Sequence, residues 1–144
     1  MRFDQHRLPS REIDSRYFPR TLGVYMDMSA SSYYRIEVPF KELAARGYPV
    51  GWGHISQIED VALDQYDMVV TSRTGGGFPD EVRKALMGMR QAGKVVILDY
   101  DDDVLNVPEW NPGKLTELYK AGTVVALETA SGIIVTNDVL AKSL

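Results

Sequence analysis

The sequence predicts an α/β fold: a single Rossmann-like three-layer domain with a mostly parallel sheet and helices on both faces. Two observations lead to this prediction. Apolar runs such as residues 95–98 are continuous, without the alternation of a strand that has one face in water. Amphipathic stretches separate these runs, which is typical of parallel strands joined by helices. A chain of 144 residues has the length of one domain.

Composition divides the chain into two parts. Residues 1–20 mix arginines, carboxylates, prolines and aromatics without periodicity, so we interpret them as an N-terminal arm, either a tail or a docking segment. Residues 21–144 form the predicted Rossmann-like domain, which the resemblance described below implies to be one half of a larger enzyme.

The predicted elements of this domain follow from apolar runs and their boundaries. Strands are expected at residues 22–26, 50–55, 67–73, 94–103 and 132–136. A first helix ends at Gly47, with a kink or a fresh start at Pro39, and a second spans about residues 79–92 and ends at Gly93. A third covers residues 114–130, interrupted or weakened at Gly122, and Asn137 caps a short last helix.

Charge and composition exclude several function classes. The net charge of −4 argues against a nucleic-acid partner, which usually needs a basic face. The chain has no cysteine and only two histidines, so we expect no metal and no cofactor. No apolar run approaches the roughly 20 residues of a membrane span, and the polar N-terminus does not resemble a signal peptide. These observations favour a cytoplasmic protein.

Ligands of parallel sheets collect at the carboxyl ends of the strands. The predicted strands end in polar segments that would meet at this edge and form a small-molecule site. These segments are residues 27–32, 73–77, 99–110 and 136–138.

An acidic run follows the most apolar strand and consists of Asp99, Asp101, Asp102 and Asp103. Like charges this close repel one another, and desolvation disfavours their charged forms. The run therefore points to a catalytic or ligand-positioning role. Other interpretations stay open: a solvated loop, an ion pair with Arg35 or Arg73, and a divalent metal site.

Further candidates lie in the neighbouring loops. Ser31 and Ser32 would allow close approach of a ligand, and Arg35 would bind a carboxylate or phosphate through two hydrogen bonds. The alternative is a helix cap followed by a solvated arginine. Gly75 and Gly76 offer backbone N–H groups, either to an anion or simply within a flexible turn. Trp110 would stack on a sugar or base, or pack on its own loop, whereas His54 is interpreted as structural.

Four segments resemble a known family. VVILDYDDDVLNVPEWNP, residues 95–112, is similar to an acidic stretch in the amino-terminal half of many bacterial and phage glycosyltransferases of the GT-B type. Three other segments resemble parts of that half in the same order: SSYYRIEVPFKELAARGY, YDMVVTSR and ASGIIVTNDVLAKSL.

The resemblance implies the acceptor-side half of an enzyme that transfers sugar from a nucleotide-sugar donor to an acceptor hydroxyl. Asp102 and Asp103 would then orient the hydroxyl or take its proton. The implied substrate-binding residues are Ser31, Ser32, Arg35, Arg73, Gly75, Gly76, Asp101 and Trp110. The donor-binding half has no counterpart in the sequence. A second domain, a second chain or a homodimer would complete the enzyme.

Two other functions are compatible with the residues. One is a non-catalytic Rossmann-like module that binds a nucleotide, a sugar or a protein. The other is a Mg-dependent phosphohydrolase of the haloacid dehalogenase type, because Asp99 and Asp101 follow an apolar strand. That family has Thr or Val at the position where Asp103 stands here.

Overall fold

A five-stranded, entirely parallel sheet organises the domain. The structure, a computed structural model, describes residues 18–57, 63–72, 78–112 and 114–144. The strands are β1 (Thr21–Tyr25), β2 (Val50–His54), β3 (Met68–Ser72), β4 (Val95–Tyr100) and β5 (Gly132–Val135). Their spatial order is β2-β1-β3-β4-β5, one of the two common orders of doubly wound sheets. The predicted Rossmann-like α/β fold is confirmed.

The helices lie on both faces of this sheet. Between β1 and β2 the chain forms α1 (Ala30–Ser32), a π-helix (Tyr33–Glu37) and α2 (Val38–Ala45), and a 3-10 turn (Ile55–Gln57) follows β2. Three more helices follow later strands: α3 (Pro79–Gln91), α4 (Glu117–Thr129) and α5 (Asp138–Ser143).

The helix boundaries agree with the local chemistry. Gly47 and Gly93 follow α2 and α3 with positive φ angles of 84° and 79°, a conformation that glycine adopts without strain. The side chain of Asn137 accepts a hydrogen bond from the Leu140 N–H, as expected of an N-cap.

The structure decides between the alternatives at two helical positions. At Pro39 the fresh start is confirmed: the chain widens into a π-helix and then starts α2, with the proline in its first turn. Helix α4 runs through Gly122 without interruption. Gly122 is buried, so packing outweighs the cost of about 1 kcal/mol of a glycine within a helix.

The core lies mainly under α3 and α4. Its largest cluster joins Leu86 of α3 and Ala126 of α4 to Val96, Leu98 and Tyr100 of β4. On the opposite face, the π-helix and α2 cover β1. This arrangement leaves the carboxyl ends of β1, β3 and β4 together at one edge of the sheet.

Candidate functional site

A loop after β1 begins the site. The carboxylate of Asp27 accepts hydrogen bonds from the Ser32 hydroxyl at 2.7 Å and from the Ser29 N–H at 3.0 Å. Ser29 is the N-cap of α1, and its hydroxyl accepts from the Ser32 N–H at 3.2 Å. These bonds fix the start of the helical segment directly at the end of β1.

An ion pair connects this segment to β4. Arg35 donates to both carboxylate oxygens of Asp99, through Nε at 2.6 Å and through Nη2. Only 5% of the Asp99 side chain is exposed, so the pair is largely withdrawn from water. The hydrogen bonds to Asp99 raise the pKa of Arg35 against the opposing effect of burial. The structure thus confirms the ion-pair interpretation for one aspartate of the acidic run.

Two serines complete the connection between strands. The Ser31 hydroxyl donates to the carboxylate of Asp101, after β4. The Ser32 hydroxyl lies 3.4 Å from that of Ser72, the last residue of β3. A cavity of only about 10 Å³ remains between these groups. The position lies between β1 and β3, where connections leave the sheet in opposite directions, which is the usual ligand position in such folds.

A larger cleft of about 310 Å³ adjoins this cavity and shares Asp27, Ser29 and Ser32 with it. Its volume is within the range of small-molecule sites. The other residues that line it are Tyr25, Met28, Ala30, Tyr33, Tyr34 and Glu37. Three aromatic rings, two carboxylates and two hydroxyls therefore surround one space.

The π-helix places several of these side chains. It spans Tyr33–Glu37, and the rings of Tyr33 and Tyr34 meet edge to face with centroids 5.1 Å apart. Both rings remain substantially exposed, at 48% and 69%. π-helical turns are rare and occur frequently at functional sites.

The structure brings together five of the residues singled out from sequence: Ser31, Ser32, Arg35, Asp99 and Asp101. Three others, Arg73, Gly75 and Gly76, lie outside the described residues. Trp110 is 83% exposed in the loop after β4 and does not line the cleft.

The two aspartates predicted to be catalytic have different surroundings. Asp103 accepts hydrogen bonds from Ser143 of α5 and from Asn106. Burial acts to raise the pKa of Asp103, but these hydrogen bonds and those of nearby backbone N–H groups outweigh it, so the pKa lies below its ordinary value. Asp102 is exposed. Neither lines the cleft, and their catalytic role stays a prediction.

His54 holds the end of β2 near that of β1. Its ring lies edge to face with Tyr25, and Nε2 is 3.1 Å from the carbonyl oxygen of Met26. Nδ1 is 2.7 Å from the Ser56 hydroxyl. These contacts agree with the structural role predicted for this histidine.

Sequence reasoning missed Tyr33, Tyr34, Glu37 and Ser72. The first three follow the small-residue loop after β1. The adjacent pair Tyr33 and Tyr34, close to the end of a strand, could have indicated a ligand-binding role. Their shared direction depends on the π-helix, which no sequence pattern indicated. Ser72 ends an apolar strand and carries no local signal of its own.

The described part of the chain has neither a metal-binding cluster nor a membrane-spanning helix. No group of three or more His, Asp or Glu side chains among these residues is arranged to hold a metal ion. In the same residues, no helix is long and apolar enough to cross a membrane.

Comparison with known proteins corrects the resemblance inferred from the motifs. No family model and no curated protein matches this chain. A solved structure that matches is RecJ in complex with Mn²⁺ from Thermus thermophilus, at 19% identity and a TM-score of 0.42. The match covers 81% of this chain and 19% of RecJ. RecJ is not a glycosyltransferase. The assignment to the GT-B glycosyltransferases is wrong.

The error has a physical cause. Apolar strands that end in aspartates, and serine-rich turns that precede helices, recur wherever parallel strands present polar groups at their carboxyl ends. The motifs therefore describe the architecture of the sheet rather than one family. At its low similarity, RecJ assigns no activity to this chain.

Proposed function

We propose that this domain is a sugar-binding module, with its ligand in the cleft between β1 and the π-helix. The observation that carries the proposal is the combination of Tyr25, Tyr33 and Tyr34 with Asp27 and Glu37 around about 310 Å³. The proposal keeps the non-catalytic binding module that the sequence left open as an alternative. It does not include sugar transfer.

The chemistry of the lining favours neutral, hydroxyl-rich ligands. Carboxylates accept hydrogen bonds from neighbouring hydroxyl groups, and the serine hydroxyls both donate and accept. Tyrosine combines a flat apolar ring with a polar tip, so it packs against the apolar faces of a sugar ring while its hydroxyl remains hydrogen-bonded.

Charge argues against a nucleotide in the same cleft. No lysine or arginine is among the described residues that line it, whereas Asp27 and Glu37 are. Arg35 lies close by, but Asp99 already engages its guanidinium group. A diphosphate would therefore face carboxylates without a cation to offset its charge.

The test is a titration of the whole chain with neutral hexoses and their disaccharides, followed by amide NMR shifts and calorimetry. We expect shifts confined to the loop after β1 and to the π-helix. Tyr34→Ala and Glu37→Gln should each weaken binding about tenfold, equivalent to about 1.4 kcal/mol. Tyr119→Ala is the control, since Tyr119 is also an exposed tyrosine, at 43%, but lies on α4.

Several outcomes would contradict the proposal. One is the absence of binding by every sugar at millimolar concentration. Another is tighter binding of a nucleoside diphosphate than of any sugar. Binding of choline without binding of a sugar would identify the cleft as an ammonium site, because tyrosine faces with carboxylates also attract such cations.

A further inference from the structure

One face of the sheet is only half covered. Along β4, Val96, Leu98 and Tyr100 point into the core under α3 and α4, so Val95 and Ile97 point to the opposite face. On that opposite face the π-helix and α2 lie over β1, where Ile36 and Phe40 crowd Gly23. The described helices do not extend this cover across β3, β4 and β5.

The uncovered area forms a groove of about 620 Å³ beside α2. Met68 and Val70 of β3 and Ile134 of β5 form its floor, and Phe40 and Leu43 of α2 form one wall. Ile134 is 47% exposed, and Val95 on the same face is 41% exposed. Contiguous apolar surface that is exposed in this way marks an interaction site or a ligand-binding groove.

The described chain begins at this groove. Phe18 and Pro19 line it, and Phe18 packs edge to face on Tyr48 with ring centroids 4.6 Å apart. The carbonyl oxygen of Pro19 accepts a hydrogen bond from Thr21 at 2.8 Å, which fixes this position to the start of β1. Phe18, the residue to which the segment 1–17 is joined in sequence, therefore lies at the mouth of the groove.

We propose that this groove binds residues 1–17 of the same chain. Their sequence, MRFDQHRLPSREIDSRY, contains Phe3, Leu8, Ile13 and Tyr17 as apolar groups for the groove. It also carries four arginines against three carboxylates, in a chain with a net charge of −4. Tethering makes this segment available at an effective concentration near millimolar, which a free partner rarely reaches.

The size of the uncovered strip favours a tethered segment over a second copy. Three strands spaced by about 4.8 Å, each about 17 Å long, present roughly 240 Å² of face. A stable protein interface needs about 800 Å² from each partner. The strip is wide enough for one segment of chain, whereas a stable dimer would have to draw most of its interface from surface outside the strip.

The absence of native cysteine allows a direct test in the full-length chain. Leu8→Cys is combined with Ile134→Cys in the groove, and separately with Met87→Cys on α3 as the control. Met87 is 43% exposed, close to the 47% of Ile134, but lies on the opposite side of the sheet. Mild oxidation of dilute protein is followed by non-reducing electrophoresis and mass spectrometry.

We expect the Leu8–Ile134 pair to form an intramolecular disulfide at least tenfold faster than the Leu8–Met87 pair. Met68→Cys is a second groove position in case Ile134→Cys fails to fold, and Phe3→Cys and Ile13→Cys test other parts of the segment. Equal rates at the groove and the control position would overturn the proposal. Rapid intermolecular dimers of Ile134→Cys alone would also overturn it and assign the groove to a second copy.

Discussion

Arg35 and Asp99 show how individual residues hold the candidate site together. Arg35 belongs to the π-helix and Asp99 to β4, so their ion pair fixes the helical segment over the sheet. Asp99 is 5% exposed and Arg35 is 23% exposed. Removing one partner leaves the other charge with little water to solvate it, which costs far more than loss of a surface ion pair.

Arg35→Ala should therefore lower the free energy of unfolding by about 3 kcal/mol. The matched control is Arg46→Ala, which breaks the ion pair between Arg46 and Glu42. The side chains of these two residues are 66% and 60% exposed. That change should cost less than about 0.5 kcal/mol. Urea unfolding measures both. Similar losses of unfolding free energy for the two variants would show that the buried pair stabilises the fold no more than the exposed pair does.

A second ion pair, between the exposed side chains of Arg20 and Asp67, predicts that the stability of the fold depends on pH. Arg20 donates to both oxygens of Asp67, at 3.1 and 2.8 Å, and its backbone N–H donates as well. The side-chain hydrogen bond from Arg20 is the main cause that lowers the pKa of Asp67 from 3.8 to about 2. A carboxyl with a lowered folded-state pKa stabilises the fold above its unfolded pKa, and this contribution disappears as the pH falls through the folded value.

Asp67→Asn should accordingly lower the urea midpoint at pH 7, and the difference from the natural protein should shrink between pH 3.8 and about 2. Both side chains are more than half exposed, so added salt should reduce the difference at pH 7. A difference that stays constant down to pH 2 would show that the charge of Asp67 is not its source.

At the scale of elements, the π-helix and α2 approach β1 very closely. A Cβ atom on Gly23 would lie 2.9 Å from Ile36 Cγ2 and 2.9 Å from the ring of Phe40. Both side chains are buried, Ile36 completely. The absence of a side chain at Gly23 therefore lets the helical segment settle on the sheet and place Tyr33 and Tyr34 at the cleft.

Gly23→Ala should destabilise the domain by about 1–3 kcal/mol, because the clash forces the π-helix or α2 away from β1. Gly88→Ala is the matched control in α3, where a new Cβ would have no neighbour within 4 Å. Alanine is the better helix former, so this change should stabilise by about 0.5–1 kcal/mol. Thermal unfolding compares the two, and destabilisation of both variants would contradict the close-approach argument.

At the scale of the whole molecule, much of the architecture was predictable. The order of strands and helices, the end of α3 at Gly93 and the cap at Asn137 all agree with the structure. These features depend on periodicity, on glycine and on short-range hydrogen bonds, which are properties of a few neighbouring residues. The sheet edge that collects Ser31, Ser32, Arg35 and Asp101 was also predictable, because strand ends meet there in every parallel sheet.

Three features depend on contacts between distant parts of the chain. The sequence did not predict that Arg35 would bind Asp99 rather than another carboxylate, or that a π-helix would turn two tyrosines toward one cleft. It also did not predict the uncovered strip on β3, β4 and β5. The sequence by itself determined a parallel three-layer fold with polar strand ends, because those follow from local chemistry. Tertiary structure alone decided which side chains share a cleft, because residues 64 positions apart, such as Arg35 and Asp99, meet only when the sheet assembles.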